Sequence, residues 1–132
     1  MTDDVMVRVA ALRKSFTFHG RGGTTLRVLE GVDFTVARGE CVALDGPSGA
    51  GKSTLMRTLF GNYRPEGGAI EVRHEDGQGA RMIDLATANP REIIAVRRKT
   101  LGYVSQFLRV IPRVTSLEIV AQPLVQRGVD HA

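Results

Sequence analysis

One stretch constrains this chain more than any other. Gly46-Pro47-Ser48-Gly49-Ala50-Gly51-Lys52-Ser53 sits between an apolar run, Cys41-Val42-Ala43-Leu44, and a stretch with apolar residues at 55, 56, 59 and 60. The spacing is G-x-x-x-x-G-K-[ST], a loop that requires a strand before it and a helix after it. A triphosphate is a dense anion, and successive backbone N–H groups from Gly49 through Thr54 can converge on it only where side chains do not obstruct the approach. The following helix adds its unpaired N–H groups and the positive end of its dipole. In such a loop Lys52 bridges the β- and γ-phosphates and the Ser53 hydroxyl faces Mg²⁺. Gly46, Ser48, Gly49, Ala50, Gly51, Lys52, Ser53 and Thr54 are therefore the expected nucleotide-binding residues.

The flanking pattern predicts a β-rich layer joined to an α/β core. Val5, Val7 and Val9 alternate with other residues and read as a strand through about Phe16. Leu26 to Val36 reads as a second extended segment, interrupted at Glu30-Gly31. Cys41–Leu44 is short, continuously apolar and bounded by glycines, the pattern of a buried parallel strand, and Leu101–Ser105 is a second candidate of that kind. Gly61 is a helix stop, and Ala69–Arg73 pairs with Arg81–Leu85 across a glycine-rich turn. Asn89-Pro90 opens a short helix. Thr115 or Ser116 caps another, in which Pro123 predicts a kink or an early break.

At 132 residues and a net charge of +4, with 42% hydrophobic residues, the chain has the size and composition of one globular domain. Its basic residues are scattered apart from Arg97-Arg98-Lys99, and no aromatics interleave with them, which argues against nucleic acid and for a solvated helix end. The single cysteine, Cys41, excludes an internal disulfide, fits a reducing compartment and reads as a small core residue. No run approaches the roughly 20 apolar residues that span a bilayer. His19, His74 and His131 lack ligand spacing, so no metal cluster is expected. Asp45 reads as a strand-end acid and Asp84 as a turn or hairpin residue.

With these motifs in register, the chain resembles the nucleotide-binding domain of ATP-binding cassette (ABC) proteins over essentially its whole length. Leu12-Arg13-Lys14-Ser15-Phe16 resembles the opening strand whose aromatic stacks on adenine, with Phe16 in that position and Phe18 as the fallback. Val28 to Phe34 and Arg38-Gly39-Glu40 resemble the strand and turn before the loop. Leu101-Gly102-Tyr103-Val104-Ser105-Gln106 resembles the segment ending in the glutamine that contacts Mg²⁺ and the attacking water. The resemblance implies ATP and Mg²⁺ as cofactors, Lys52 and Gln106 as catalytic residues, and Ser53 and Gln106 as metal contacts. It implies an α/β fold: a partial P-loop NTPase core with an ABC-type antiparallel β subdomain. Residues 1–40 and 66–85 would form mainly the β layer, 41–65 the phosphate loop and helix, and 100–132 the glutamine loop and the start of a helical subdomain. Val104 to Val114 and Gln122-Pro123-Leu124 resemble the ATP-binding subunits of phosphonate carbon–phosphorus lyase systems. On that reading the partners are other subunits of such a system, and lipoprotein- or macrolide-exporter ATPases are the nearest alternative.

Family members continue with an L-S-G-G-Q signature, an Asp-Glu strand end and a switch histidine, none of which occurs in these 132 residues. The expectation is the amino-terminal part of one nucleotide-binding domain, with weak ATP binding and negligible hydrolysis on its own. In the intact family two such domains close head-to-tail. A small nucleotide kinase fits less well, because 45 residues precede Gly46, and a non-catalytic scaffold fragment is a further alternative. The expected location is cytoplasmic, reaching an inner membrane only through partners.

Overall fold

A computed structural model describes residues 4–20, 22–105 and 112–129. Its centre is a four-stranded antiparallel sheet in the order β2-β1-β3-β4. The strands are β1 (Val5–Phe18), β2 (Thr24–Ala37), β3 (Gly67–Asp76) and β4 (Gly79–Asp84). β1 and β2 form a long ribbon from Val5↔Ala37 to Phe18↔Thr24, so the second extended segment runs through Gly31 with shifts of register instead of breaking. One shift lies between Val9 and Leu12, where Ala11 takes a φ of 47° and its N–H donates to Asp33 Oδ1 at 2.8 Å. The bulge thus gives the Ala11 amide a side-chain acceptor in place of a strand partner.

One face of the sheet carries the core. Ile70, Val72 and His74 alternate as buried positions along β3, as the period of two requires. Val9, Leu12, Leu29, Ile83 and Leu85 join Ile70 and Val72, and Leu55 and Val96 pack onto them from two helices. The first helix, α1 (Lys52–Leu59), buries Leu55 and Thr58. It ends where expected: Gly61 N–H donates to Thr58 O at 2.9 Å and Asn62 N–H to Arg57 O at 2.8 Å. That paired closure needs the left-handed conformation Gly61 adopts, φ 77°. The second helix, α2 (Pro90–Lys99), starts at Asn89, whose side chain accepts from the Arg91 and Glu92 amides while the Glu92 carboxylate accepts from the Asn89 amide.

Arg97-Arg98-Lys99 does close α2, but Arg97 is not simply solvated. Its Nε donates to Phe60 O at 2.8 Å, Nη2 donates to Asn62 Oδ1 at 3.0 Å, and its guanidinium lies 4.7 Å from the Phe60 ring centre. Arg97 therefore clamps α2 to the end of α1. His74, only 2% exposed, shares a 2.7 Å hydrogen bond with Thr100 Oγ1, joining β3 to the end of α2. Asp84 holds the turn after β4, accepting from the Ile70 and Ala86 amides at 3.0 Å each and from the Thr87 hydroxyl at 3.2 Å.

Two expectations fail in the same way. Cys41–Leu44 and Leu101–Ser105 are not strands. Cys41, Val42 and Ala43 are exposed, as are Gly102, Tyr103 and Val104. A buried parallel strand needs a ladder on its edges, and every sheet pairing among the described residues is antiparallel and confined to β1–β4. Cys41 is accordingly not a core residue. Both segments border an open apolar cleft of about 230 Å³, shared with Met56, Leu59 and Phe60.

The third helix, α3 (Ser116–Gln126), begins with a second capping box between Thr115 and Glu118. Pro123 neither breaks nor shortens it. Proline removes one N–H from the ladder, yet the helix runs on for three more residues. α3 buries none of its side chains, and Leu117 and Val120 are 76% and 75% exposed. A bond from Arg127 Nε to Arg98 O, 3.0 Å, ties it to α2. No helix among the described residues is long and apolar enough to cross a membrane.

Candidate functional site

The glycine loop leaves the Cys41–Leu44 segment and delivers the chain to the first turn of α1. Asp45 accepts the Gly46 amide at 2.8 Å, as suits an acid at the end of an extended run, and Ala50 N–H donates to Pro47 O at 3.2 Å. Gly46, Gly49 and Gly51 have φ values of 143°, 83° and 90°, backbone that residues with a Cβ rarely adopt. Gly51 is the N-cap of α1 and offers no side chain to cap it. The amides of Lys52, Ser53 and Thr54 therefore face outward with no intrahelical partner, and the first intrahelical bond is Leu55 N–H to Gly51 O at 2.8 Å.

Lys52 turns back across the loop. Its ammonium donates to the carbonyl of Gly46 and, at 2.8 Å, to that of Pro47. One charge is thus held at the centre of the loop, beside the positive end of the helix. Ser48, Gly49, Ala50 and Ser53 are exposed, and Thr54 is half-buried with its carbonyl accepting from Thr58 Oγ1 at 2.7 Å. The predicted residues 46–54 are therefore brought together in one loop and one helical turn.

Phe16 sits half-buried on β1, opposite Leu26 of β2. Its ring meets Tyr63 edge-on, with centroids 5.3 Å apart and planes at 79°, and Lys14 Nζ lies 5.2 Å from the ring centre. Phe18, the fallback, is 54% exposed near the end of β1. Gln106 lies outside the described residues, as does His131. The chain leading to it is described: Tyr103, Val104 and Ser105 line a shallow groove with Lys52 and Ser53. Tyr103 also stacks obliquely on Phe60 at 5.2 Å. Among the described residues no group of three or more His, Cys, Asp or Glu forms a metal cage. Ser53 supplies one hydroxyl at the open turn, a donor set that suits Mg²⁺, which takes most of its oxygens from phosphate and water.

Tyr63 touches Phe16, Glu66 holds the neighbouring Ser15 and Arg57 holds Tyr63, a set with no local signal in the sequence. Glu66 Oε2 accepts from the Ser15 amide at 3.1 Å and the Ser15 hydroxyl at 2.6 Å. Arg57 Nη1 donates to the Tyr63 hydroxyl at 3.1 Å. That bond, and next one to Tyr103, raises the Arg57 guanidinium above its ordinary value. Only the folded chain reveals this cluster.

A cassette with an α/β core, an antiparallel sheet beside it and a glycine loop opening a helix is a recognised class, and comparison places the chain within it. The ABC transporter family profile matches residues 29–131, and the chain belongs to that family. Similar curated proteins include the lipoprotein-releasing system ATP-binding protein LolD of Hyphomonas neptunium, 41% identical over 116 residues, 88% of this chain and 47% of that protein. LolD of Legionella pneumophila is 35% identical over 127 residues, 96% of this chain and 51% of that protein. The uncharacterized ABC transporter ATP-binding protein YknY of Bacillus subtilis is 32% identical over 124 residues, 94% of this chain and 49% of that protein. The chain thus spans about half the length of the curated relatives it matches. The dimeric structure of MJ0796, a bacterial ABC transporter cassette, superposes with a TM-score of 0.75 at 26% identity, covering 96% of this chain and 50% of that one. A post-hydrolysis state of MJ0796 bound to ADP and Pi superposes equally well, at a TM-score of 0.75 and 27% identity over 96% of this chain and 50% of that one.

These relatives bear out the ABC reading and the fold, and they correct the branch. The phosphonate resemblance rests on two short stretches, Val104 to Val114 and Gln122 to Leu124, of which 106–111 lie outside the described residues. Agreement over 116 and 127 residues instead links the chain to LolD-type subunits.

Proposed function

We propose that this chain binds Mg·ATP through residues 46–54 and acts as the ATP-binding part of an ABC system of the lipoprotein-releasing type. The observation that carries the reading is the capless first turn of α1, whose three outward amides flank the Lys52 ammonium at the end of a glycine loop. In this reading Lys52 pairs with the β- and γ-phosphates, and the amides of Gly49 to Thr54 hold the remaining oxygens. Ser53 turns its hydroxyl to Mg²⁺, which neutralises phosphate charge when bound. Phe16 provides the face for the base, and Gln106 orients water at the γ-phosphate.

The 132 residues correspond to the amino-terminal part of one nucleotide-binding domain, with 41–65 as the phosphate loop and helix and 100–132 as the glutamine segment and the start of a helical subdomain. The proposed partners are the transporter's other subunits and a second cassette facing it head-to-tail. The similarity to LolD-type subunits and to the dimeric MJ0796 cassette supports those assignments. Residence at the cytoplasmic side of an inner membrane, through those partners, follows from the same reading. The test is calorimetric titration of the chain with Mg·ATP. Lys52→Ala is expected to weaken binding at least about tenfold, since a charge-assisted contact contributes roughly 1.5–3 kcal/mol. Equal affinity in the two proteins overturns the proposal.

A further inference from the structure

We infer that Tyr63 and Glu66, on the loop between α1 and β3, are positioning residues that set Phe16 for the nucleobase. The inference rests on the nucleotide-binding reading above and assigns work to residues which that reading does not use. Three observations converge on it. Glu66 is bonded to β1 twice over: its amide donates to Arg13 O at 2.9 Å, and its carboxylate receives the Ser15 amide and hydroxyl at 3.1 and 2.6 Å. The backbone immediately before Phe16 is thereby fixed to the start of β3. The Phe16 ring itself leans on Tyr63, 5.3 Å away at 79°. Tyr63 is in turn held by the 3.1 Å bond from Arg57, which belongs to α1, the helix that opens at the phosphate loop.

The spatial relation to the loop supports the same assignment. A Cβ on Gly51 would touch Val28 of β2. From Val28 it is two residues along β2 to Leu26, and Leu26 pairs with Phe16 across one strand. At about 3.3 Å per residue and 4.8 Å between strands, the backbone at Phe16 lies on the order of 10 Å from the loop. That separation suits a nucleoside whose phosphates occupy the loop. A base platform is useful only if its ring is already oriented, because ordering it on binding lowers affinity. Tyr63 supplies that order at the ring and Glu66 at the backbone before it.

The experiment compares two ligands on the 132-residue chain: ATP, which has a base, and inorganic tripolyphosphate, which has none. Tyr63→Ala and Glu66→Ala are each expected to weaken ATP binding about three- to tenfold, the range of one aromatic pair or one buttressing contact. Tripolyphosphate affinity is expected to stay within about twofold, and Glu66→Gln, which keeps a carbonyl acceptor for Ser15, to retain most ATP affinity. Equal losses for both ligands would mean general damage to the fold and would overturn the assignment. So would unchanged ATP binding in both alanine variants while Phe16→Ala loses it, a result that leaves nucleotide binding itself standing. A native chain that binds neither ligand defeats the nucleotide reading and this inference with it.

Discussion

Gly51 approaches β2 so closely that a methyl group on its Cα would lie 2.9 Å from Val28 Cγ1 and 3.0 Å from the Val28 carbonyl oxygen. The glycine that gives the loop its left-handed turn is thus also where α1 is seated against the sheet. Packing and backbone conformation both demand it. Gly51→Ala is expected to cost about 2–3 kcal/mol, combining left-handed strain with overpacking. Gly79→Ala serves as the control, with φ 115° but nothing within 4 Å of the added carbon, and is expected to cost about 1 kcal/mol. Urea denaturation of the three proteins measures both. Equal losses at the two positions would contradict a packing role for Gly51.

Arg97 joins two helices through three contacts with the end of α1, two hydrogen bonds and a cation–π contact. Arg97→Ala is expected to destabilise the chain by about 1–2 kcal/mol. Lysine keeps the charge but loses the fork that reaches both Phe60 and Asn62, so Arg97→Lys should recover less than half of that loss. Among the described residues Arg98 offers only its backbone carbonyl, to Arg127, and Arg98→Ala should change stability by no more than about 0.5 kcal/mol. Denaturant midpoints that rank Arg98→Ala below Arg97→Ala would count against the clamp.

Legibility of the fold followed the range of each signal. α2 and α3 were readable because Asn89-Pro90 and Thr115 cap their own helices within three residues, and the β3–β4 hairpin because Asp76-Gly77-Gln78-Gly79 makes its own turn. Cys41–Leu44 and Leu101–Ser105 were misread because an apolar run shows that a segment can be buried, whereas strand formation needs partners that it does not encode. The Arg97 clamp and the Tyr63–Phe16 contact join residues far apart in sequence and leave no periodicity behind. In the candidate site, loop and lysine were visible as a motif. The packing around Phe16 was not.

Asp76 provides a pH-dependent prediction. The Gln78 amide donates to its carboxylate at 2.9 Å and Arg81 lies 3.4 Å away, and the first of these is the main reason its pKa falls below the ordinary 3.8. A carboxyl with a depressed folded-state value stabilises the fold above its unfolded pKa, and the contribution disappears as pH falls through the folded value. The stability difference between native chain and Asp76→Asn should therefore be constant above about pH 5 and shrink towards pH 2. A difference that grows on acidification would reverse the sign of the argument.

α3 has no buried side chain and leans on α2 mainly through Arg127. Segments with few buried contacts open locally at low free-energy cost. Hydrogen exchange should show amides of Ile119 to Gln126 exchanging at least about tenfold faster than those of Ile70 and Val72, whose strand is paired on both sides. Matching protection in the two regions would contradict this ordering.

Every functional role proposed above requires that the loop from Gly46 to Thr54 receive polyphosphate. A crystal structure of the chain with Mg²⁺ and a non-hydrolysable ATP analogue tests it most directly. Phosphate oxygens are expected within about 3 Å of the Gly51 to Thr54 amides, with Lys52 Nζ moved from the Gly46 and Pro47 carbonyls onto phosphate. Analogue bound elsewhere, with Lys52 still on those carbonyls, would contradict it.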